Sequence, residues 1–496
     1  MDILSQGLGI DSILPRRMYN SPVKRQTLRL WQLLSIGATL TAMQKMIKGA
    51  TGKNSIDMLS GSLLDKILLF ALPFAASSVL QQVFNSADVA VVGRFSGSEA
   101  LAAVGMNGPI INLIINVFVG LSVGSNVVCA TLIGQGRADK IRDATQTVFC
   151  LALSCGVFLA VAGPLLALPI LRLIGTPENV RPLASRYLAI YFLGMPAIMA
   201  YNFCSSLLRA KGDSRRPLYS LTFSGVLNVA LNLLFVAGFK LSVTGVAIAT
   251  VISNFAAAAL VVFFLVTEDE PYKLSVKGLH IEGRLLLRIC RIGIPAGAQG
   301  MMFSLSNVCI QGAVNTFGSD AIAGAAAAVN FQYFSFFVVS AFSQAATTFT
   351  SQNYGAALHS RCKRIWALCM SCSALASFLM CQTFVIFGEH FLHIYTTEAE
   401  AISFALIQMS YVVRWHFLIN SYEITAGSLR GMGYSVLPSL VTLAGSCLFR
   451  IVWLATVFRL VATYECVMLV YPASWLVTGS AMLSVWAIVR HRRLSA

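Results

Sequence analysis

Leu208-Arg-Ala-Lys-Gly-Asp-Ser-Arg-Arg-Pro217 and Leu429-Arg-Gly-Met-Gly-Tyr-Ser-Val-Leu-Pro438 share one pattern, L-R-x-x-G-x-S-x-x-P, at a displacement of 429 − 208 = 221. Glu99-Ala-Leu-Ala and Asp320-Ala-Ile-Ala repeat the spacing, 320 − 99 = 221. So do Pro73 and Pro295, each preceded by a Leu-Leu pair and a basic residue, at 295 − 73 = 222. Three matches at displacements of 221 or 222 mean that the chain holds two related halves, and such a repeat has to be read before anything else.

Composition says what the halves are made of. Hydrophobic residues are 57% of the 496 and charged residues 11%. A soluble domain carries about a quarter charged residues because its surface faces water. Here most of the surface must meet hydrocarbon. Runs of about 20 apolar residues, enough to cross a bilayer as helix, recur after Leu63, as in Val148 to Ile174, Val243 to Val266 and Ile365 to Phe387. A fibrous or disordered chain is excluded. The net charge of +16 would raise nucleic-acid binding in a soluble protein, but it lies in short loops without interleaved aromatics, so no nucleic-acid partner is expected. The twelve cysteines, among them Cys309, Cys381 and Cys447, sit in apolar runs. The one C-x-x-C, Cys369 to Cys372, has no second pair or histidine cluster. They read as small buried hydrophobes.

The apolar pattern predicts helices at 64–92, 100–133, 144–172, 184–209, 217–239, 243–267, 285–317, 321–350, 364–395, 401–429, 436–459 and 464–489. Alternate connections are basic. Arg137, Lys140 and Arg142 mark the first, and Arg209, Lys211, Arg215 and Arg216 the second. Lys273, Lys277, Arg284, Arg288 and Arg291 follow, then Arg361, Lys363 and Arg364, then Arg430, then Arg490, Arg492 and Arg493. Positive residues stay cytoplasmic, so both termini are expected inside, which an even helix number requires. The expected fold is therefore an all-α integral membrane protein with twelve transmembrane helices in two pseudo-symmetric six-helix lobes. Its parts are a basic extension at 1–60, an amino-terminal lobe at 61–268, a cytoplasmic linker at 269–291 and a carboxy-terminal lobe at 292–496. Six helices per repeat make the repeats parallel, related by an axis along the membrane normal. The extension has one apolar patch, Leu28 to Leu40, too short to span. It reads as a dispensable segment lying on anionic lipid, or as residues upstream of a working start near Met43 or Met46.

Within this frame Ala71-Leu-Pro73 through Asp88 to Gly93, then Leu101-Ala-Ala-Val-Gly105, the two L-R-x-x-G-x-S-x-x-P segments and Gln352-Asn-Tyr-Gly355 together resemble the multidrug and toxic compound extrusion (MATE) family. The subgroup is the bacterial one of DNA-damage-inducible and staphylococcal efflux proteins. The resemblance runs from about Ile56 to Arg490. It implies a V-shaped pair of six-helix lobes in the bacterial cytoplasmic membrane that expels organic cations and other amphiphiles in exchange for Na+ or H+. It implies no enzymatic activity and no cofactor beyond that coupling ion, and the protein is expected to work as a monomer.

An ionisable residue inside a spanning helix is costly, about 2.5–3.5 kcal/mol at the centre, and is a functional candidate by default. Asp88 is the clearest, on one stripe with Gln81 and Asn85. The alternative is a helix-end aspartate, since Gly93 and Arg94 follow closely. Asn228 and Asn232 share a helix face, with interhelical hydrogen-bonding as their plainer role. The family's Na+-binding pattern, carried onto this sequence, matches Asp88, Asn228, Asn232 and Thr250. It departs at Asn232, where the family often has a second carboxylate. The second half differs. Its seventh helix carries a neutral stripe of Ser304, Asn307, Gln311 and Asn315, and its tenth carries His416, Asn420 and Glu423. Arg450 in the eleventh helix is expected to pair with Glu423, because buried charges are found paired. Phe331, Tyr333, Phe334, Phe336 and Phe337 either line an apolar cavity or pack.

Other functions fit less well. A flippase for lipid-linked sugars would want many cavity arginines and lysines, and only Arg414 and Arg450 fall within helices. A membrane enzyme would need a set such as H-E-x-x-H or G-x-S-x-G, and neither string occurs. A receptor or channel would not need two equivalent halves.

Overall fold

The computed structural model describes residues 55–173, 176–393 and 398–494. Regular structure among them is helical throughout. The first lobe comprises α1 (Leu64–Phe95), α2 (Ser98–Gly134), α3 (Ala138–Leu173), α4 (Arg181–Leu193), α5 (Met195–Lys211), α6 (Arg215–Asn232) and α7 (Ser242–Val266). The second comprises α8 (Gly283–Asn315), α9 (Ser319–Gly355), α10 (His359–Ile386), α11 (Gly388–Leu392), α12 (Ala399–Gln408), α13 (Asn420–Gly431), α14 (Val436–Thr442), α15 (Phe449–Ala455), α16 (Val457–Leu460) and α17 (Tyr464–Arg493).

Among the described residues ten helical segments are long and apolar enough to span a bilayer, and α4 with α5 make an eleventh, bent by 48°. The sequence reads that span, the fourth along the chain, as one helix at 184–209. Gly194 joins the two pieces and Pro196 opens α5, so the ladder is interrupted where a proline has no N–H to give. The remaining span, α8, the seventh along the chain, has 33 residues, about 50 Å of helix. Three arginines near its start and a polar stripe near its end lower its hydropathy.

Three predicted spans are not uniform α-helix. The fifth passes into a π-helix at Leu233–Gly238, the tenth contains a π-helix at Met409–Val413 and a 3-10 turn at His416–Ile419, and the eleventh has a π-helix at Leu443–Leu448. A hydrophobic pattern read at 3.6 residues per turn is blind to an i→i+5 turn, which rotates every later side chain off its expected face.

The repeat motif now has a physical reading. Gly212 and Gly433 both have left-handed backbone, φ 100° and 90°, a conformation glycine adopts without a Cβ penalty. Each ends one helix, and Pro217 or Pro438 sits in the first turn of the next, where its missing N–H costs nothing. The lobes meet about the expected axis reciprocally. A Cβ on Gly134 would strike Gln352 and one on Gly355 would strike Thr131, and both pairs are one repeat apart. The closest seam runs between α2 and α8. A Cβ on Gly124 would lie 2.5 Å from Ile289 O, and one on Gly293 would lie 2.6 Å from Leu121 Cα. Small residues let membrane helices approach to backbone contact, where dispersion replaces the missing hydrophobic drive. The corresponding α1–α9 seam has Ala71, Ala75, Ala341 and Ala345 at the same repeat positions.

Charged groups tie together the end of the first lobe and join it to the linker. Glu268 accepts from Lys211 and Arg216, and Lys140 lies 3.3 Å from Glu282. Burial opposes ionisation of Glu268, but the hydrogen bonds from Lys211 and Arg216 outweigh it and hold its carboxyl below the usual range. Residues 1–54, with most of the predicted extension, lie outside the described residues. The sequence places 55–60 in that extension too, yet they belong to the folded unit, which begins at Ser55. Ile56 N donates to Gly212 O at 3.2 Å, and Met58, 1% exposed, accepts from Asn353 at 3.0 Å.

Candidate ion-coupling site

Asp88 stands about two turns inside the end of α1 and is 9% exposed. It is therefore not a solvated helix-end aspartate. Asn232 Nδ2 donates to its Oδ1 at 2.5 Å and to Asn228 Oδ1 at 3.2 Å. Thr250 Oγ1 donates to Asp88 Oδ2 at 3.4 Å, and Asn228 Nδ2 to Thr250 Oγ1 at 3.4 Å. Three helices, α1, α6 and α7, thus bring together the four side chains matched from the family pattern. The α-helical part of the fifth span ends at Asn232, and the π-helix starts at the next residue. Single π turns are frequent at functional sites.

The chemistry of the group is asymmetric. It holds one carboxylate and three neutral side chains, all offering oxygen. Asn232 Oδ1 is buried with no hydrogen-bond partner among the described residues. A buried acceptor left unmade costs about 1–3 kcal/mol, so this oxygen is poised to accept from something else. Sequence reasoning missed two neighbours. Tyr187 and Tyr191 on α4 stack at 6.0 Å, and both lie close enough to Asp88 to feel its charge. Their i, i+4 spacing was the available signal. Gln81 and Asn85 lie on the Asp88 stripe but are exposed. Neither hydrogen-bonds to the group among the described residues.

The second-lobe candidates separate. His416, 2% exposed, meets Ser335 Oγ at 3.0 Å and packs edge-on to Trp475. Asn420 donates to Ser377 Oγ at 2.8 Å. Gln311 and the exposed Asn307 lie on α8, where Gln311 donates to Asn315 at 3.0 Å. The expected Glu423–Arg450 pair is not formed. Arg450 Nε donates to Ser474 Oγ at 3.0 Å and Nη1 to Asn307 Oδ1 at 3.3 Å, while the guanidinium acting on Glu423 is Arg430. The irregular turns of the tenth and eleventh spans carry the two side chains off the faces that a 3.6 period assigns them. The aromatic set on α9 also divides. Phe331 packs on Phe384 at 5.2 Å, whereas Tyr333 and Phe336 are exposed.

The chain is 30% identical over 385 residues to the probable multidrug resistance protein YoeA of Bacillus subtilis, covering 76% of this chain and 82% of that protein. It is 24% identical to the FAD transporter of Shewanella oneidensis, over 71% of this chain and 78% of that one. The crystal structure of a mutant of the Vibrio cholerae MATE transporter VcmN superposes with a TM-score of 0.81 at 20% identity, covering 87% of this chain and 98% of that one. The MatE family model matches twice, at residues 73–234 and 295–456, once in each lobe and at the spacing of the repeat, and the chain therefore belongs to the MATE family of multidrug efflux transporters.

Proposed function

We propose that this chain is a cation-coupled antiporter that exports organic cations or other amphiphiles by alternating access, with the Asp88 group as its coupling-ion site. The observation that carries the reading is one buried carboxylate surrounded by neutral oxygens from three helices, one of them unpartnered. One carboxylate balances one monovalent cation, whereas a divalent ion would leave a buried positive charge uncompensated. Among the described residues no cluster of three or more His, Cys, Asp or Glu is placed to hold a metal ion, so a transition metal has no donor set here. Asp88, Asn228, Asn232 and Thr250 are the residues that would hold the ion. All offer the oxygen that hard cations prefer. A proton would need only Asp88. Three further oxygen donors favour Na+.

Neutralising Asp88 removes the charge that α6 and α7 now pack against, which gives cation binding a means of favouring one lobe arrangement over another. The protein works in the bacterial cytoplasmic membrane as a monomer, with both termini cytoplasmic as the loop charges require. Names of relatives range from multidrug export to FAD transport, so the family alone leaves the substrate open. Proteoliposomes of the full chain, loaded with a panel of fluorescent cations, test the reading. Export should accelerate when a Na+ gradient is imposed at fixed pH. Equal export with and without Na+ and pH gradients would mean a passive carrier and would overturn it.

A further inference from the structure

The two repeats build oppositely charged groups from corresponding helices, with Asp88 on the first span of its lobe and Arg450 on the fifth span of the other. The Asp88 group comes from the first, fifth and sixth spans of its lobe. The Arg450 group comes from α8, α15 and α17, the first, fifth and sixth spans of the other. On the fifth and sixth spans the registers agree as well. Asn228 and Arg450 are displaced as Pro73 and Pro295 are, and Thr250 and Tyr471 as Leu208 and Leu429 are. Where the first lobe presents a carboxylate, the second presents a guanidinium.

Arg450 is 2% exposed. Its partners are Ser474 Oγ, Asn307 Oδ1 and the rings of Tyr471 and Phe303, whose centroids lie 4.7 and 5.9 Å from Cζ. All four are neutral. No carboxylate lies within ion-pair distance of it among the described residues. A guanidinium has five N–H donors in a planar fork and cannot lose its charge. Two of those donors are engaged here. Buried charges are found paired, and no carboxylate among the described residues pairs with this one. Access is open on one side, because Asn307, which holds Nη1, is itself exposed.

We propose that Arg450 is an oxyanion subsite, taking a carboxylate or phosphate group carried by the exported amphiphile. Phe303 and Tyr471 would seat the apolar part beside it, and Asn307 would yield its hydrogen bond as the oxyanion enters. Carboxylates and phosphates match the arginine fork bidentately. The inference rests on the export reading and narrows its substrates to amphiphiles with an acidic group. It also separates the two tasks. The coupling cation goes to the lobe with the carboxylate, and the substrate anion to the lobe with the guanidinium.

The test uses the purified full chain in detergent, without any gradient, and two dyes of one skeleton. Rhodamine 110 carries a free carboxylate, and rhodamine 123 is its methyl ester. Fluorescence polarisation should show rhodamine 110 bound about tenfold more tightly, with the preference abolished in Arg450→Gln and rhodamine 123 binding unchanged. Inorganic phosphate should displace rhodamine 110 from the parent and spare rhodamine 123, a result that needs no variant should Arg450→Gln fail to fold. Equal binding of the two dyes by the parent would overturn the proposal, as would an equal loss of both in Arg450→Gln. Displacement of rhodamine 110 by phosphatidylglycerol but not by inorganic phosphate would also overturn it, by assigning the site to a lipid headgroup. Dye preference is read without transport, so its failure leaves gradient-driven export standing, and a failure of export leaves the preference standing.

Discussion

In the first lobe Asp88 is ringed by amides and a hydroxyl, and a π-helix follows Asn232 directly. In the second lobe Arg450 is ringed by a hydroxyl, an amide and two aromatic rings, and a π-helix ends just before it, with Phe449 between. The same three spans of the repeat supply both groups. Duplication has kept what the backbone needs, namely the glycine turns at Gly212 and Gly433 and the small-residue seams. It has not kept the charge. A fold of two equal halves can therefore hold a cation on one side and an anion on the other without the two competing.

The seams offer the harshest way to break that comparison. Gly297 on α8 and Ala75 on α1 are one repeat apart, but a Cβ on Gly297 would run into the Val117 backbone, whereas Ala75 already carries one. Gly297→Val should cost about 3 kcal/mol through overpacking, and Ala75→Val about 1 kcal/mol. Thermal unfolding of purified protein followed by size exclusion checks the difference. Equal losses would mean that the two seams are equally tight.

Copying the second lobe into the first comes next. Asn228→Arg places a guanidinium where Arg450 has its counterpart, beside Asp88. The new ion pair should fill the cation's place and lower gradient-driven export at least about tenfold, while dye binding at the other lobe persists. Export at the parent's rate would show that the Asp88 group need not stay open.

The end of the first lobe that carries Lys211, Arg216 and Glu268 contrasts with both groups, because its charges are paired within the chain. Glu268→Gln leaves Lys211 without its carboxylate and Arg216 with Asp213 alone, at 2.9 Å. The loss should be about 2–3 kcal/mol near neutral pH. Because the Glu268 carboxyl is held below the usual range, its contribution is fully present above the ordinary glutamate value. It fades as the pH falls through the lowered one. Melting curves of parent and variant should therefore converge in acid. Curves that stay apart below the lowered value would place the effect elsewhere.

Much of this was legible in the sequence. The twelve spans, the repeat and the meeting of Asp88, Asn228, Asn232 and Thr250 follow from apolar run length, a constant displacement and the family pattern. The true partners of Glu423 and Arg450 were not legible, because the tenth and eleventh spans contain π turns that no 3.6-residue period reveals. Nor was the bend at Gly194 distinguished from an unbroken span, since Pro196, about three turns into the predicted helix 184–209, reads the same way inside one helix as at the opening of a second. The smallest predicted effect follows from the corrected pairing. A double-mutant cycle of Glu423→Gln with Arg450→Gln should be additive within about 0.5 kcal/mol. A coupling of about 2 kcal/mol or more would restore the pair.

The separation of tasks stands or falls on Asp88. Proteoliposomes holding the parent or Asp88→Asn should be compared under a Na+ gradient at fixed pH, then under a pH gradient without Na+, with rhodamine binding measured on the same preparations. The predicted result is that Asp88→Asn binds dye as the parent does but loses gradient-driven export under both conditions. Export by Asp88→Asn at the parent's rate under both gradients would contradict it and leave Asp88 as a packing residue.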